Sequence, residues 1–236
     1  MSVRSLHDGI NKLIEAHSFL RHSLQQVFMY NPCHFKVDDP TALHALIQAH
    51  PLGCLVTHSD SGLDANHLPF ELLQDEDGVL RLIAHVARAN PVWQQIRDDS
   101  SVLVIFRAEQ AYISPNWYPS KHESHEQVPT WNYRVVHAHG RIGVRDDEKF
   151  VRGVVGRLTR RHEARNNAQA PWKMSDAPPD YLQRMLGAIV GLEITVDRLE
   201  AKFKLSQNKQ QRDRLGAVQA LEQLGQLDLA RSMRLP

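Results

Sequence analysis

Hydrophobic and polar positions alternate in two different rhythms along this chain, and the change of rhythm divides it. Residues 5–28 place Leu6, Ile10, Leu13, Ile14, Phe19, Leu20, Leu24 and Val27 near helical spacing, which predicts an amphipathic helix. Composition changes at Met29-Tyr30-Asn31-Pro32, where we set the boundary of the main domain. Asp39 and Pro40 then supply the cap and first turn of a helix running to His50, with Leu43, Leu46 and Ile47 on its buried face. From Leu52 the period shifts toward two. Leu52–His58, Leu63–Leu73 and Val79–Val86 read as strands, punctuated by Ser61-Gly62 and by Asp75-Glu76-Asp77-Gly78. A short helix is predicted from Asn90-Pro91, a buried strand over Val102–Phe106 and a brief strand over Tyr112–Ser114. Trp131–Arg145 is a long alternating strand: Val136, Ala138, Gly140, Ile142 and Val144 share one face, and Trp131, Tyr133, His137, His139 and Arg141 the other. Helical patterns follow at 146–163 and 178–187, then a strand over Ile189–Phe203 and a closing helix over Asn208–Leu229.

At least six antiparallel-looking strands with short helices between them predict a mainly β fold with peripheral helices (α+β), a small barrel decorated by helices. We divide the chain into a helical extension (1–28), a barrel domain with inserted helices (29–205) and a C-terminal helix (206–236).

Composition narrows the function. The 236 residues are 42% hydrophobic and 23% charged, which is ordinary for a globular protein. Net charge is +1, so no global positive field gathers a polyanion; DNA binding is possible through local basic clusters but is not supported by overall charge. Cys33 and Cys54, the only cysteines, fit a reducing compartment. No apolar run approaches the ~20 residues of a membrane span, and the N-terminus lacks a secretory pattern, so a cytoplasmic location is expected.

Residues 111–133 hold two of the four tryptophans and three of the five tyrosines among prolines, hydroxyls, amides and Lys121. Rings mixed with short polar groups suit a flat, partly polar ligand stacked on its faces; the alternative is a loop whose rings plug the core or a subunit interface. A second candidate is His85-Val86-Ala87-Arg88-Ala89-Asn90-Pro91-Val92-Trp93, where a strand end, a guanidinium and the start of a helix combine into a phosphate seat or an ordinary capped helix. Pro69 cannot donate to a ladder, so Leu63–Phe70 is expected at an edge or bulge. Lys204, Ser206, Gln207 and Asn208 end the last strand, within reach of a phosphate or as a helix cap.

Fourteen histidines raise the question of a metal. His137 and His139 share a strand face and His122 and His125 lie three apart, but Cys-x-x-Cys and His-Glu-x-x-His are both absent, and a dedicated metal site is not expected. Dinucleotide, phosphate-loop and esterase signatures are missing too, so any chemistry would come from a bound cofactor.

Taken in order, these motifs resemble the FMN-binding negative transcriptional regulators of the PaiB type. The resemblance rests on Met29-Tyr30-x-Pro32-x-His34-Phe35, Pro51-Leu52-Gly53-x-Leu55-Val56-Thr57, Ala65-x-His67-Leu68-Pro69 and His85-Val86-Ala87-Arg88-Ala89-Asn90-Pro91-x-Trp93. It continues through Tyr112-Ile113-Ser114-Pro115-x-Trp117-Tyr118, Val128-Pro129-Thr130-Trp131-Asn132-Tyr133, Ser175-Asp176-Ala177-Pro178 and Lys204-Leu205-Ser206-Gln207-Asn208, and spans about 29–221. It implies an FMN-binding split β-barrel related to pyridoxamine-phosphate oxidase, a homodimer with FMN at the subunit interface. It assigns His85, Arg88 and Asn90 to the phosphate and Asn66, His67 and Leu68 to the ring. Lys121, Thr130, Trp131 and Asn132 become candidates for loops that include partner-chain residues, and Lys204 with Gln207 for the C-terminal contribution. Ala84 and Ala201 stand where the resemblance leads us to expect glycine.

The function implied is a dimeric flavin-binding regulator. Two alternatives stay open: a flavin-dependent oxidoreductase using NAD(P)H and a small substrate, and a split barrel binding haem through His137 or His139.

Overall fold

The computed structural model describes residues 29–234, so the helix expected at 5–28 lies outside the described residues. The sheet lies within the unit Pro32–Pro236.

Eight strands form one antiparallel sheet: β1 (Lys36–Val37), β2 (Leu52–Ser59), β3 (Gly62–Pro69), β4 (Glu71–Gln74), β5 (Leu80–Ala87), β6 (Ser100–Ile113), β7 (Thr130–Arg145) and β8 (Ile189–Lys204). Their order is β3-β2-β6-β7-β8-β5-β4, with β1 pairing on β8. The helices are α1 (Pro40–Ala49), α2 (Val92–Gln95), α3 (Pro119–Ser124), α4 (Glu148–Asn166), α5 (Pro179–Gly187), α6 (Gln211–Gln223) and α7 (Leu227–Arg234).

Pro69 decides the topology. The sequence predicts one strand over Leu63–Leu73, but proline cannot continue the ladder and the strand breaks after it. The Phe70 amide instead reaches back to the Pro51 carbonyl at 2.8 Å. β3 therefore pairs with β2 while β4 pairs with β5, although only Phe70 separates them. Two neighbours in sequence thus occupy opposite ends of the strand order, and the sheet must curl until its two edges meet without closing. The fold is a split barrel.

The two strands predicted at 102–106 and 112–114 are one, β6, carried through a bulge between Arg107 and Gln110. Glu109, in that bulge, pairs with Arg134 at 2.7 Å and accepts from Ser232 of α7 at 2.5 Å. β7 follows the expected alternation, with Val136, Ala138 and Ile142 in the core and Trp131 and Arg141 exposed. Ala84 and Ala201 are also in the core, so their methyls fill the barrel interior.

The helix expected over Asn208–Leu229 is two helices. Gly225 (φ +75°) ends α6: its amide bonds the Glu222 carbonyl at 3.0 Å and the Gln226 amide bonds the Leu221 carbonyl at 2.9 Å. α6 and α7 pack on the barrel through Ala217, Val218, Leu221, Leu229, Ala230 and Met233. Asp213, 1% exposed, accepts from the Ser120 amide (3.0 Å) and hydroxyl (2.7 Å), and so fastens the aromatic loop to α6.

Gly216 marks the closest approach of that helix to the loop, since a Cβ there would stand 2.2 Å from the Trp117 carbonyl oxygen. Gly→Ala in an exposed helix stabilises by about 1 kcal/mol. Gly216→Ala is expected instead to cost about 2 kcal/mol through overpacking, read as a lower urea midpoint.

Candidate functional site

The expected site residues gather in two places. The first surrounds the end of β5. His85, half-exposed as a residue, has a buried Nδ1 with no hydrogen-bond partner, and burial pushes its pKa below the ordinary histidine value. The Asn90 amide nitrogen donates to the Asn66 side-chain oxygen at 2.7 Å, joining β3 to the turn after β5. Asn90 Oδ1 accepts from the Val92 amide at 2.9 Å, closing the turn that leads into α2. The helix that follows, α2, is a single turn, so the helix start expected there is short. Leu68 is buried, while His67 is exposed on the same strand.

Arg88 is engaged on several sides. Its two terminal nitrogens grip Asp146 at 2.9 and 2.5 Å, its Nε donates to the Gly187 carbonyl at 2.7 Å, and its guanidinium lies 5.7 Å from the centre of the Trp93 ring. Hydrogen bonding by Asp146 raises the Arg88 pKa, and Arg88 holds the Asp146 carboxyl below its ordinary range. Both partners are about two-fifths exposed, so the pair is a surface ion pair of good geometry and little net stabilisation. Sequence reading missed Asp146 because it is 58 residues from Arg88; only the β7–β8–β5 register brings it there.

The second place is the start of β7. Lys204, at the end of β8, donates to the Thr130 hydroxyl and, at 3.0 Å, to the Trp131 carbonyl. Burial lowers its pKa, with Lys202 and Lys209 adding repulsion. Trp131 is 54% exposed and stands edge-on to Tyr112, 46% exposed, with ring centres 6.2 Å apart. Strand register sets this pairing, since Tyr112 and Trp131 are direct partners across β6 and β7. Half-buried Lys121 lies on α3 in the same loop.

Two expected members point elsewhere. Asn132 has the parity of Val136 and therefore faces the core, where its amide donates to Ser206 at 2.8 Å and to the Met233 sulfur at 3.4 Å. Gln207 commits its side chain to the local backbone, with Oε1 accepting from the Leu205 amide at 2.7 Å and Nε2 donating to the Phe203 carbonyl at 2.6 Å.

The rings of the aromatic loop differ in burial. Tyr118 is fully buried and Trp117 packs on the core, while Trp131 and Tyr112 keep open faces.

Residues 29–198 match the family described as "Putative FMN-binding domain". The Bacillus subtilis (strain 168) protein named "Protease synthase and sporulation protein PAI 2" is 32% identical over 194 residues, covering 82% of this chain and 89% of that protein. An uncharacterized protein of Emericella nidulans is 34% identical over 218 residues, covering 78% and 86%. Among solved structures, the FAD and haem binding protein from Mycobacterium smegmatis aligns with a TM-score of 0.52 at 16% identity, over 72% of this chain and 73% of that one, a likeness of fold alone.

Four histidines, His50, His85, His137 and His139, have pKa values lowered chiefly by burial from 6.5. The unfolded chain takes up these protons near pH 6.5 while the folded chain resists, so their contribution is complete above that pH and is lost as pH falls. Each group then removes at most about 1.4 kcal/mol per pH unit. The urea midpoint should fall between pH 7.5 and 5.5, and fall less in His85→Gln; a midpoint independent of pH would show that the imidazoles titrate alike in the folded and unfolded chains.

Proposed function

We propose, from the premise that the chain belongs to this FMN-binding-domain family, that two copies build a flavin site between them and that the flavin is FMN. The observation that carries the reading is the separation of the two donor sets. Thr130 and Asp146 bracket β7, whose 16 residues extend roughly 50 Å if straight at about 3.3 Å per residue. A flavin nucleotide is much shorter than such a strand, which favours a site completed by a second copy over one chain supplying both sets to one ligand. A two-fold partner would place its Lys204, Thr130 and Trp131 against His85, Arg88 and Asn90 of the first chain.

The residues present fit the two ends of FMN. The phosphate is a dianion, and the β5 end offers a guanidinium, the Asn90 turn and the orphaned His85 Nδ1. Asp146 is its competitor, but an exposed ion pair contributes little, and a doubly charged oxyanion displaces one carboxylate. The ring would rest along Asn66–Leu68 and against the open faces of Trp131 and Tyr112, with the Lys204 ammonium near its polar edge. Bound there, a flavin supplies hydride and single-electron transfer, while the chain binds it, orients it and excludes water.

A regulatory role is the reading we favour, in keeping with the resemblance and with the Bacillus relative, whose name links that protein to sporulation. Regulation through a bound effector or partner protein fits better than direct DNA contact. The most basic helix, α4, commits Arg152 to Glu148 and Arg157 to Glu71, each at 2.8 Å. An oxidoreductase is the competing reading, favoured by the open Trp131–Tyr112 pair, and steady NAD(P)H consumption by the FMN-loaded protein would establish it.

Reconstitution is expected to give a yellow dimer with one FMN per chain. Arg88→Ala should weaken FMN binding about tenfold to a hundredfold, the range for a lost charged hydrogen bond, and Asp146→Asn should tighten it. If Arg88 only ties β5 to Asp146, neither change will alter affinity. Trp131→Ala should weaken FMN binding and dimerisation together, checked by fluorescence titration and sedimentation; loss of the dimer with FMN binding intact would assign the ring to packing alone.

A further inference from the structure

Strand pairing joins two histidines that sequence spacing left without a third ligand. His137 and His139 project from the same face of β7, and Glu200 is the direct partner of His137 across β8. One donor atom from each lies within 4.8 Å of the others, and all three residues are half-buried. His139 Nε2 is buried with no aligned hydrogen bond, 3.4 Å from Glu200 Oε2. We propose that His137, His139 and Glu200 bind a divalent first-row transition ion such as zinc.

The distances fit that chemistry. Ligand atoms bonded at about 2.0–2.1 Å in a tetrahedral site stand roughly 3.3–3.4 Å from one another. The His139–Glu200 pair is already at that spacing. Bringing in the third atom takes a shift of little more than about 1 Å, within the range of a side-chain torsion. Two imidazoles and one carboxylate select zinc, cobalt, nickel or ferrous iron over magnesium and calcium, which prefer all-oxygen shells. Arg198 orients the carboxylate: its Nε donates to Glu200 Oε1 at 3.1 Å, leaving Oε2 turned toward the imidazole. The same guanidinium offsets the carboxylate charge and so weakens the hold on a cation. The ladder shifts register between His139 and Gly140, and such bulges re-aim side chains. Three protein ligands leave at least one position for water or substrate, as in catalytic zinc centres.

The site is independent of the flavin reading, and so is its test. The full chain, dialysed against EDTA, is titrated with cobalt(II) chloride by visible absorption and calorimetry, followed by displacement with zinc. One equivalent per chain is expected. His139→Ala and the isosteric Glu200→Gln should each weaken uptake at least tenfold, while His122→Ala on α3 leaves it unchanged. Thermal melting establishes that each variant is folded, and Glu200→Gln carries the test should His139→Ala fail to fold. The proposal falls if wild type takes up no cobalt even at about 1 mM, or if both site variants bind like wild type. It also falls if His122→Ala loses binding equally, or if haemin gives a Soret band that depends on His139 while cobalt does not bind.

Discussion

The register of β7 between β6 and β8 is the constraint from which the other features derive. Strand residues alternate faces, so fixing one pair sets the facing of the sixteen residues of the strand. Val136, Ala138 and Ile142 are then committed to the core and His137, His139 and Arg141 to the opposite face. The same register sets Tyr112 beside Trp131, Lys204 beside Tyr133 and Glu200 beside His137. At its far end it carries Asp146 to Arg88. The chemistry of this chain is thus distributed along a ruler rather than collected in a cleft, and the two ends of that ruler hold different donor sets.

Where physical signals are local, the sequence is a good guide. Asp39 caps α1 through the Thr41 and Ala42 amides, and alternation identifies β7 within one residue of its start. Strand boundaries shift where a single residue changes the ladder. Proline cuts 63–73 into two strands, and a bulge fuses 102–106 with 112–114, because backbone pairing, unlike hydrophobic period, depends on a partner that one strand does not encode. Gly225 breaks a helix whose apolar spacing runs through it.

The candidate site residues are conspicuous one by one in the sequence, whereas their arrangement is not. Arg88, Asn90, Trp131 and Lys204 are chemically conspicuous, but their partners Asp146, Asn66, Tyr112 and Thr130 are set by pairing between segments far apart in the chain. Asn132 shows how residue type misleads when parity is set aside: an amide in an aromatic loop suggests a ligand, while its even position on β7 sends it inward to Ser206 and Met233. His137 and His139 carry no recognisable metal motif because such motifs describe one helix or loop, and Glu200 arrives from the neighbouring strand.

The clasp between Arg88 and Asp146 bears on what this corner would admit. A newcomer gains from the guanidinium only by evicting a carboxylate already held in two-point contact, and an uncharged molecule brings nothing with which to do so. On the FMN reading proposed above, riboflavin would forgo the guanidinium that its phosphorylated form could use, so this corner would favour the phosphorylated vitamin by no more than the roughly tenfold to hundredfold expected of Arg88.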